Sequence, residues 1–396
     1  MKITDMKCAI LGRNPVVRII TDEGIEGYGQ GEAKSYLKPH VLFYRDMIIG
    51  EDPTDVERVM QKIRRLGSFK PWGTSVSMIE MALWDIAGKA LGAPVHKLLG
   101  GKVRDRVRVY NGAVRFSMKG GVSPEDHAEA MRKMRAAPEG FSIIKQGIGF
   151  HSHMPGAVPG FMYGDLQEGG FHANRAPLTE KGLKHIVACI EAMKEVCGDE
   201  VGLALDCGPG FMVPDALRLA KAVESLHVMW LEDMITGDYT PYVLADLYRE
   251  VTAQTSTPIH TGEQIYLRQN FVDLIEKRAV DVVGPDPLDV GGIAELKWIA
   301  EYADLHGILM APHGTGDGVL GLAALVQVCA TLPPNYIAFE YPTGQPEWWY
   351  DIVEGLPDPI VQDSHIDVWD RPGMGVDLIP EAAKEYLTEE DAGFFD

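Results

Sequence analysis

From about Val107 onward, short β-branched or apolar runs alternate with amphipathic stretches of helical spacing, and this alternation restricts the fold more than any other feature of the chain. The runs are VRVYN, FSIIKQ, VGLALD, HVMWLED, TPIHTGE, DVVGPD, GILMAPH and YIAFE. Between them lie helical patterns such as DALRLAKAVESL after Pro214, which carries Leu217, Ala220, Val223 and Leu226 on one stripe. Another is IAELKWIAEYADLHG, with Ile293, Leu296, Ile299, Ala300 and Ala303 as its buried stripe and Gly307 as its stop. Eight βα units in series predict an α/β protein built on a TIM-type (β/α) barrel. Such a barrel uses ~250 residues, and a chain of 396 leaves room for a second unit. That unit precedes the barrel. Residues 2–11, 16–21 and 25–29 read as a β-meander, and 75–91 as a helix with Ile79, Ala82, Leu83, Ile86 and Ala90 on one face and Gly92 as its stop, which together describe an α+β unit.

With 37 basic and 57 acidic side chains the formal charge is −20. A field of that sign repels nucleic acid and anionic membranes and leaves a small-molecule role. A small anion is still a fitting substrate if a metal or local Lys and Arg reverse the sign inside the pocket. The five cysteines are scattered without a CxxC pair, so neither a disulfide framework nor a cysteine zinc site is expected, and a reducing cytoplasm fits. The first residues lack an apolar signal region and no segment approaches 18 uninterrupted apolar residues, so a soluble, non-exported protein is expected. Residues 147–177, rich in Gly, Pro and aromatics, show no regular period. Following the second barrel strand, they should lie over the mouth as a lid or specificity loop, or make oligomer contacts.

The chemistry gathers at strand ends. Asp206 ends LALD, Glu232 ends MWLE and Glu263 lies in HTGE, each about one βα unit of ~30 residues from the next, so the three project into one mouth. Any one alone reads as a solvated or capping carboxylate. Three together would repel, and a hard divalent cation, Mg2+, resolves the conflict. Asp286 and His313 are likewise one unit apart, and an Asp beside a His fixes its tautomer and makes a general acid/base. Glu340 ends the eighth strand, and Lys145 ends the second, facing the metal side as a cation in a site that must hold anions.

With these residues in place the chain resembles the enolase superfamily, specifically the mandelate racemase/muconate lactonizing enzyme family and its acid-sugar dehydratases of the mannonate and galactonate type. The likeness runs through TDEGIEGYGQGEA, MALWDIAGKALGAPVHKLLGG, the three carboxylate strands, PDPLDVGGI, APH, the glutamate of the eighth strand and RPGMGVDL. It implies an N-terminal capping domain over 1–105, a barrel over 106–365, and a tail over 366–396 that returns to the cap. It also implies a homo-oligomer, and Mg2+ holding a substrate carboxylate while a base removes the α-proton to give an enediolate.

Two departures from the family pattern narrow the chemistry. The usual Lys-x-Lys of strand 2 is Lys145-Gln146-Gly147 here, and the His that some dehydratases place two residues after the first ligand is Gly208. The expectation is therefore one base, His313 with Asp286, acting on one face of the substrate in syn loss of water. Tyr163, in a Tyr-Gly pair like that of the mannonate branch, is a further candidate, while His151 and His153 either reach into the site or stay as solvated loop residues, the latter being the favoured reading. Glu340 and Lys145 are expected to bind the substrate. Arg64, Lys70 and Trp72 read either as cap contacts to it or as ordinary surface. The resulting expectation is an aldonate or aldarate dehydratase giving a 2-keto-3-deoxy acid. A sugar-acid epimerase, racemase or cycloisomerase, with Lys145 or a lid residue as its second catalytic acid/base, is the alternative within enzymes, and a non-catalytic sugar-acid sensor the alternative outside them.

Overall fold

Apolar alternation in the first thirty residues produces an antiparallel meander, β1 (Ile3–Leu11), β2 (Asn14–Thr21) and β3 (Glu26–Gln30), paired in the order β1-β2-β3. The structure, a computed structural model, describes residues 1–65, 73–112, 121–164, 176–235, 244–314, 318–343, 346 and 348–396. The helix Thr74–Leu91 packs directly on β3, and the GYG sequence explains how. A Cβ at Gly27 would stand 2.1 Å from the Ala82 carbonyl oxygen and one at Gly29 2.0 Å from that of Met78, so only glycines admit this approach. Gly92 ends the helix in the left-handed conformation at φ 62°.

All eight runs form strands: β4 (Arg106–Asn111), β5 (Ile143–Gly147), β6 (Gly202–Asp206), β7 (Trp230–Glu232), β8 (Ile259–Thr261), β9 (Val282–Val283), β10 (Leu309–Met310) and β11 (Phe339–Tyr341). β5 to β10 make one parallel six-stranded sheet in sequential order, and β11 pairs in parallel with β4. Two seams complete the barrel. At one, the Ile337 N–H donates to the Met310 carbonyl at 2.8 Å. At the other, the Asn111 side chain imitates a backbone ladder, its Nδ2 donating to the Lys145 carbonyl and its Oδ1 accepting the Lys145 N–H, both at 2.8 Å. Tyr110, Ile143, Ala204, Trp230, Val282, Ala311 and Ala338 pack into one buried cluster. All seven lie on or beside the barrel strands, as expected of a filled interior layer.

Beyond the barrel the chain turns back. Residues His365–Asp367 pair antiparallel with β4, Val353–Glu354 pair with Asp377–Leu378, and Leu11 bridges Leu387. The last residues lie on the meander. Ile10 N–H donates to Asp391 at 2.7 Å, Lys7 Nζ donates to the carbonyls of Gly393 and Asp396 at 3.0 and 2.9 Å, and Arg18 Nη1 donates to that of Phe394 at 2.6 Å.

The helix expected after Pro214 is divided into Val213–Ala222 and a 3-10 turn, Glu224–Leu226. The aperiodic 147–177 segment also holds local structure: a 3-10 turn at Gly149–His151, a one-turn helix at Met154–Ala157, and a bridge from Met162 to Leu178. Its residues 165–175 lie outside the described residues. Among the described residues no helix is long and apolar enough to cross a membrane.

Candidate active site

Parallel register delivers the acidic strand ends side by side, with Asp206 opposite Glu232 and Glu232 opposite His260. Glu232 is buried and both its oxygens are engaged, Oε1 by Lys145 Nζ at 2.9 Å and Oε2 by the Trp230 indole N–H at 2.8 Å. Lys145 Nζ also donates to Glu340 Oε2 at 2.9 Å, lies 3.6 Å from Asp206 Oδ2 and stands 5.7 Å over the Tyr110 ring. Burial opposes charge on all of these groups, and the outcome differs by neighbour. For Lys145, the carboxylates of Glu232 and Glu340 outweigh burial and hold the ammonium well above its ordinary pKa. For Glu232, Lys145 and the nearby His260 outweigh burial and pull the carboxyl down to about 2. For Glu340, burial prevails and raises the carboxyl.

His313 faces this group from the end of β10. Its Nδ1 stands 2.7 Å from Asp286 Oδ2, and because a carboxylate accepts, the proton belongs on Nδ1. Nε2 is then turned toward Glu263 Oε2 at 3.3 Å and Glu340 Oε2 at 3.4 Å. Burial disfavours the imidazolium, but Glu263, Glu340 and Asp286 together hold it well above the ordinary histidine value.

The two glycine departures share one physical cause. A Cβ at Gly147 would meet the His151 carbonyl oxygen at 2.5 Å, and one at Gly208, where φ is +65°, would meet the His151 nitrogen at 2.7 Å. The 149–151 turn fills the space that side chains at either position would need, and it carries the His151 Nδ1 to 3.3 Å from Asp206 Oδ1. His151, read from the sequence as solvated, is 35% exposed and is a member of the cluster. Its backbone fixes it there, since its N–H donates to the Cys207 carbonyl at 3.1 Å.

The structure thus brings together Lys145, Asp206, Glu232, Glu263, Asp286, His313 and Glu340. Tyr163 is not among them. It is 67% exposed, its N–H donates to the Pro177 carbonyl, and none of its described contacts is with the cluster. Trp72 and Lys70 lie outside the described residues, and Arg64 is ion-paired to Glu57 and Glu295 at 3.0 and 3.1 Å. Sequence reasoning did not single out Trp230 and His260, although Trp230 shares a strand face with Glu232 by period two. His260 stacks on the Trp230 ring at 5.2 Å. Nor did it find the cavity of about 460 Å3 between cap and barrel, where Glu32, Lys34, Tyr36 and Thr74 face Gln264 and Asp289. A larger cavity of about 780 Å3 lies between Glu139 and the 353–362 segment and contains none of the cluster.

For a hard cation the donor chemistry fits: Asp206, Glu232 and Glu263 offer oxygens only, and the cationic neighbours of Glu232 favour its ionised form against burial. Among the described residues no three His, Cys, Asp or Glu side chains converge at metal-binding distance, and Asp206, Glu232 and Glu340 are arranged about Lys145 Nζ.

A capped barrel with acidic strand ends, a Lys on the second strand and an Asp–His pair on the sixth and seventh defines an enzyme of the enolase superfamily, members of which generally use Mg2+. Residues 9–100 match the mandelate racemase/muconate lactonizing enzyme N-terminal domain and 161–382 match the enolase C-terminal domain-like family. The chain is 33% identical to D-xylonate dehydratase of Haloferax volcanii over 405 residues, covering 99% of this chain and 90% of that protein. It is 28% identical to D-galactonate dehydratase of Ralstonia pickettii, covering 93% and 91%. Among solved structures, a mandelate racemase/muconate lactonizing enzyme-like protein from Rubrobacter xylanophilus superposes with a TM-score of 0.83 at 32% identity, over 98% of this chain and 97% of its own. The chain belongs to the mandelate racemase/muconate lactonizing enzyme family of the enolase superfamily, among its acid-sugar dehydratase-like hydro-lyases. Its substrate is a small molecule.

Proposed function

We propose that this protein is a Mg2+-dependent dehydratase that converts an aldonate or aldarate to its 2-keto-3-deoxy acid. The observation that carries the reading is the Asp286–His313 pair, which presents Nε2 to Glu263 and Glu340 with the Nδ1 proton fixed. Asp206, Glu232 and Glu263 would hold the cation, which when bound supplies positive charge for a substrate carboxylate as the α-proton leaves. With the charge of Glu263 taken up by the cation, the His313 imidazole would be neutral at Nε2, which takes that proton from C2. The electrons of the C–H bond form the C2–C3 double bond as the C3–O bond breaks, and His313 returns the proton to the departing hydroxyl, releasing water on the same face. The enol then ketonises. Glu340, its carboxyl raised by burial, donates to the substrate's carboxylate end, and Lys145 donates to it. The polar cavity between cap and barrel, with Lys34, Glu32 and Tyr36, takes the polyol end. D-Xylonate and D-galactonate, named for the relatives, indicate the substrate class. We also propose the cytoplasm as the compartment, a homo-oligomer as the working state, and a cap over 1–105 and 366–396 about a barrel over 106–365.

One observation favours a second reading, C2 epimerisation. Lys145 and His151 stand on the β5–β6 side of the mouth and His313 on the β10 side, so nitrogen groups flank the site from two directions. A screen of the purified protein with Mg2+ against mono- and diacid sugars, detecting 2-keto acids, decides between them. Dehydration in deuterated water places deuterium at C3 stereospecifically. A C2-epimerised sugar acid as main product would replace the dehydratase reading.

A further inference from the structure

The helix Thr74–Leu91 of the cap touches the barrel through one face. Thr74, Ser77 and Glu80 recur every three residues and so stand in a row. Each holds part of the loop that follows β9. The Thr74 hydroxyl donates to Asp289 Oδ1, and Ser77 Oγ accepts the Gly291 N–H at 3.0 Å. Glu80 accepts the Ile293 N–H through Oε2 and the Ala294 N–H through Oε1, both at 3.0 Å. Those two N–H groups open the barrel helix Ile293–Leu305, whose own N-cap residue, Gly292, has no side chain to offer. The cap therefore supplies the N-terminal acceptor of a barrel helix. The approach is close: a Cβ at Gly292 would lie 2.2 Å from the Glu80 carboxyl, and one at Gly73 1.9 Å from the Asp289 carbonyl oxygen. Gly292 adopts φ 112°, a conformation that other residues rarely take. Glu80 is buried and is further fixed by the Trp84 indole N–H at 2.7 Å.

The other end of the same loop is Asp286. Its Oδ2 faces His313 Nδ1 and its Oδ1 accepts the Leu288 N–H at 2.6 Å. Its carbonyl accepts the N–H groups of Asp289 and Val290 at 3.1 and 2.8 Å. A single hydrogen-bonded turn thus separates the carboxylate that orients His313 from the backbone held by Ser77.

We propose that Ser77 and Glu80 are positioning residues for the reaction: through the 286–294 loop the cap helix sets the placement of Asp286, and with it the direction of His313. This rests on the reading of His313 as the group that moves the proton. Neither Ser77 nor Glu80 touches the reacting atoms. A reacting nitrogen displaced by about 1 Å loses on the order of a hundredfold in rate, so a grip some residues away is enough to govern turnover.

The test uses the whole protein at pH 8 with and without substrate. The Nδ1 proton shared by His313 and Asp286 is expected to give a strongly downfield proton NMR resonance, assigned by its loss in His313→Asn. Ser77→Ala removes the acceptor for Gly291, Glu80→Ala removes both acceptors for the helix, and Glu80→Gln keeps one amide oxygen. The resonance should move in Ser77→Ala, disappear in Glu80→Ala and return in part in Glu80→Gln, with kcat lowered about tenfold or more and KM changed less than about twofold. Should Glu80→Ala not fold, the other two variants still decide the matter. A resonance and kcat both at wild-type values in folded Ser77→Ala and Glu80→Gln would overturn the proposal. A resonance that moves as described in a protein with no dehydratase turnover supports the positioning and refutes the reaction.

Discussion

Glu80 also makes the stability of the fold depend on pH in a direction unusual for a carboxylate. Burial is the dominant influence, pushing its pKa from 4.5 up to about 7 although the Ala294 and Ile293 N–H groups, the Trp84 indole and Arg64 all favour the charged form. A group whose folded pKa exceeds its unfolded value contributes its full stability below the unfolded pKa. It loses that contribution as pH rises through the folded pKa. At ~1.4 kcal/mol per pH unit, the interval between the two values corresponds to about 3 kcal/mol lost between the acid limit and pH 8. Glu80→Gln cannot ionise and lacks this dependence. Urea unfolding of both proteins at pH 5, 6, 7 and 8 isolates it, because the other titrating groups cancel in the difference. Wild-type stability minus variant stability should fall by about 2 to 3 kcal/mol from pH 5 to pH 8. A difference that is flat, or that rises with pH, would refute the reasoning. It would mean that the helix N-terminus keeps the carboxylate charged at all these values and that desolvation does not control it.

Exhaustive chelation should abolish turnover and Mg2+ restore it, and Asp206→Asn, Glu232→Gln and Glu263→Gln should each lose at least ~100-fold in kcat while remaining folded; full turnover after chelation would sink the metal assignment. His313→Asn should lose α-proton exchange with deuterated solvent together with dehydration, whereas exchange at the wild-type rate would transfer the role of base to Lys145 or His151. Arg18→Ala removes both the ion pair to Glu26 at 2.5 Å and the bond to the Phe394 carbonyl. It should lower stability by about 2 kcal/mol in urea unfolding, and an unchanged midpoint would show the tail to be held by other contacts.

The barrel was legible because each strand is announced by its own residues: β-branched or apolar runs, six of the eight ending in Asp, Glu or His, separated by helices with a clear apolar stripe. The same regular spacing brought Asp206, Glu232, Glu263, Asp286, His313 and Glu340 to one mouth on paper, since successive strand ends must be neighbours in a barrel. His151 was only half legible: the sequence offered it as a loop residue that either reaches in or stays solvated, and favoured the second. Its approach to Asp206 depends on a turn seated in the space above Gly147 and Gly208, and the sequence shows those glycines as losses of function when their absent side chains are what admits the turn. Glu80 was hidden for a related reason. On its own helix it is one more polar residue, and its partners, the N–H groups of Ile293 and Ala294, have no side-chain signature and lie in the other half of the protein. Contacts from side chain to distant backbone leave no periodicity to read.

The seating of the tail on the meander bears on the order in which the molecule can be made. Lys7 bonds to Gly393 and Asp396, contacts separated by 386 and 389 positions along the chain. During synthesis at about 5 to 20 residues per second, β1 emerges on the order of half a minute before the residues that cover it. Through that interval the guanidinium of Arg18 and the edge of β1 face water or chaperones. Barrel strands β5 to β10 each pair with a neighbour made shortly before, whereas β4 waits for β11, some 230 positions later. The meander is therefore completed only after the tail that follows the barrel has been made.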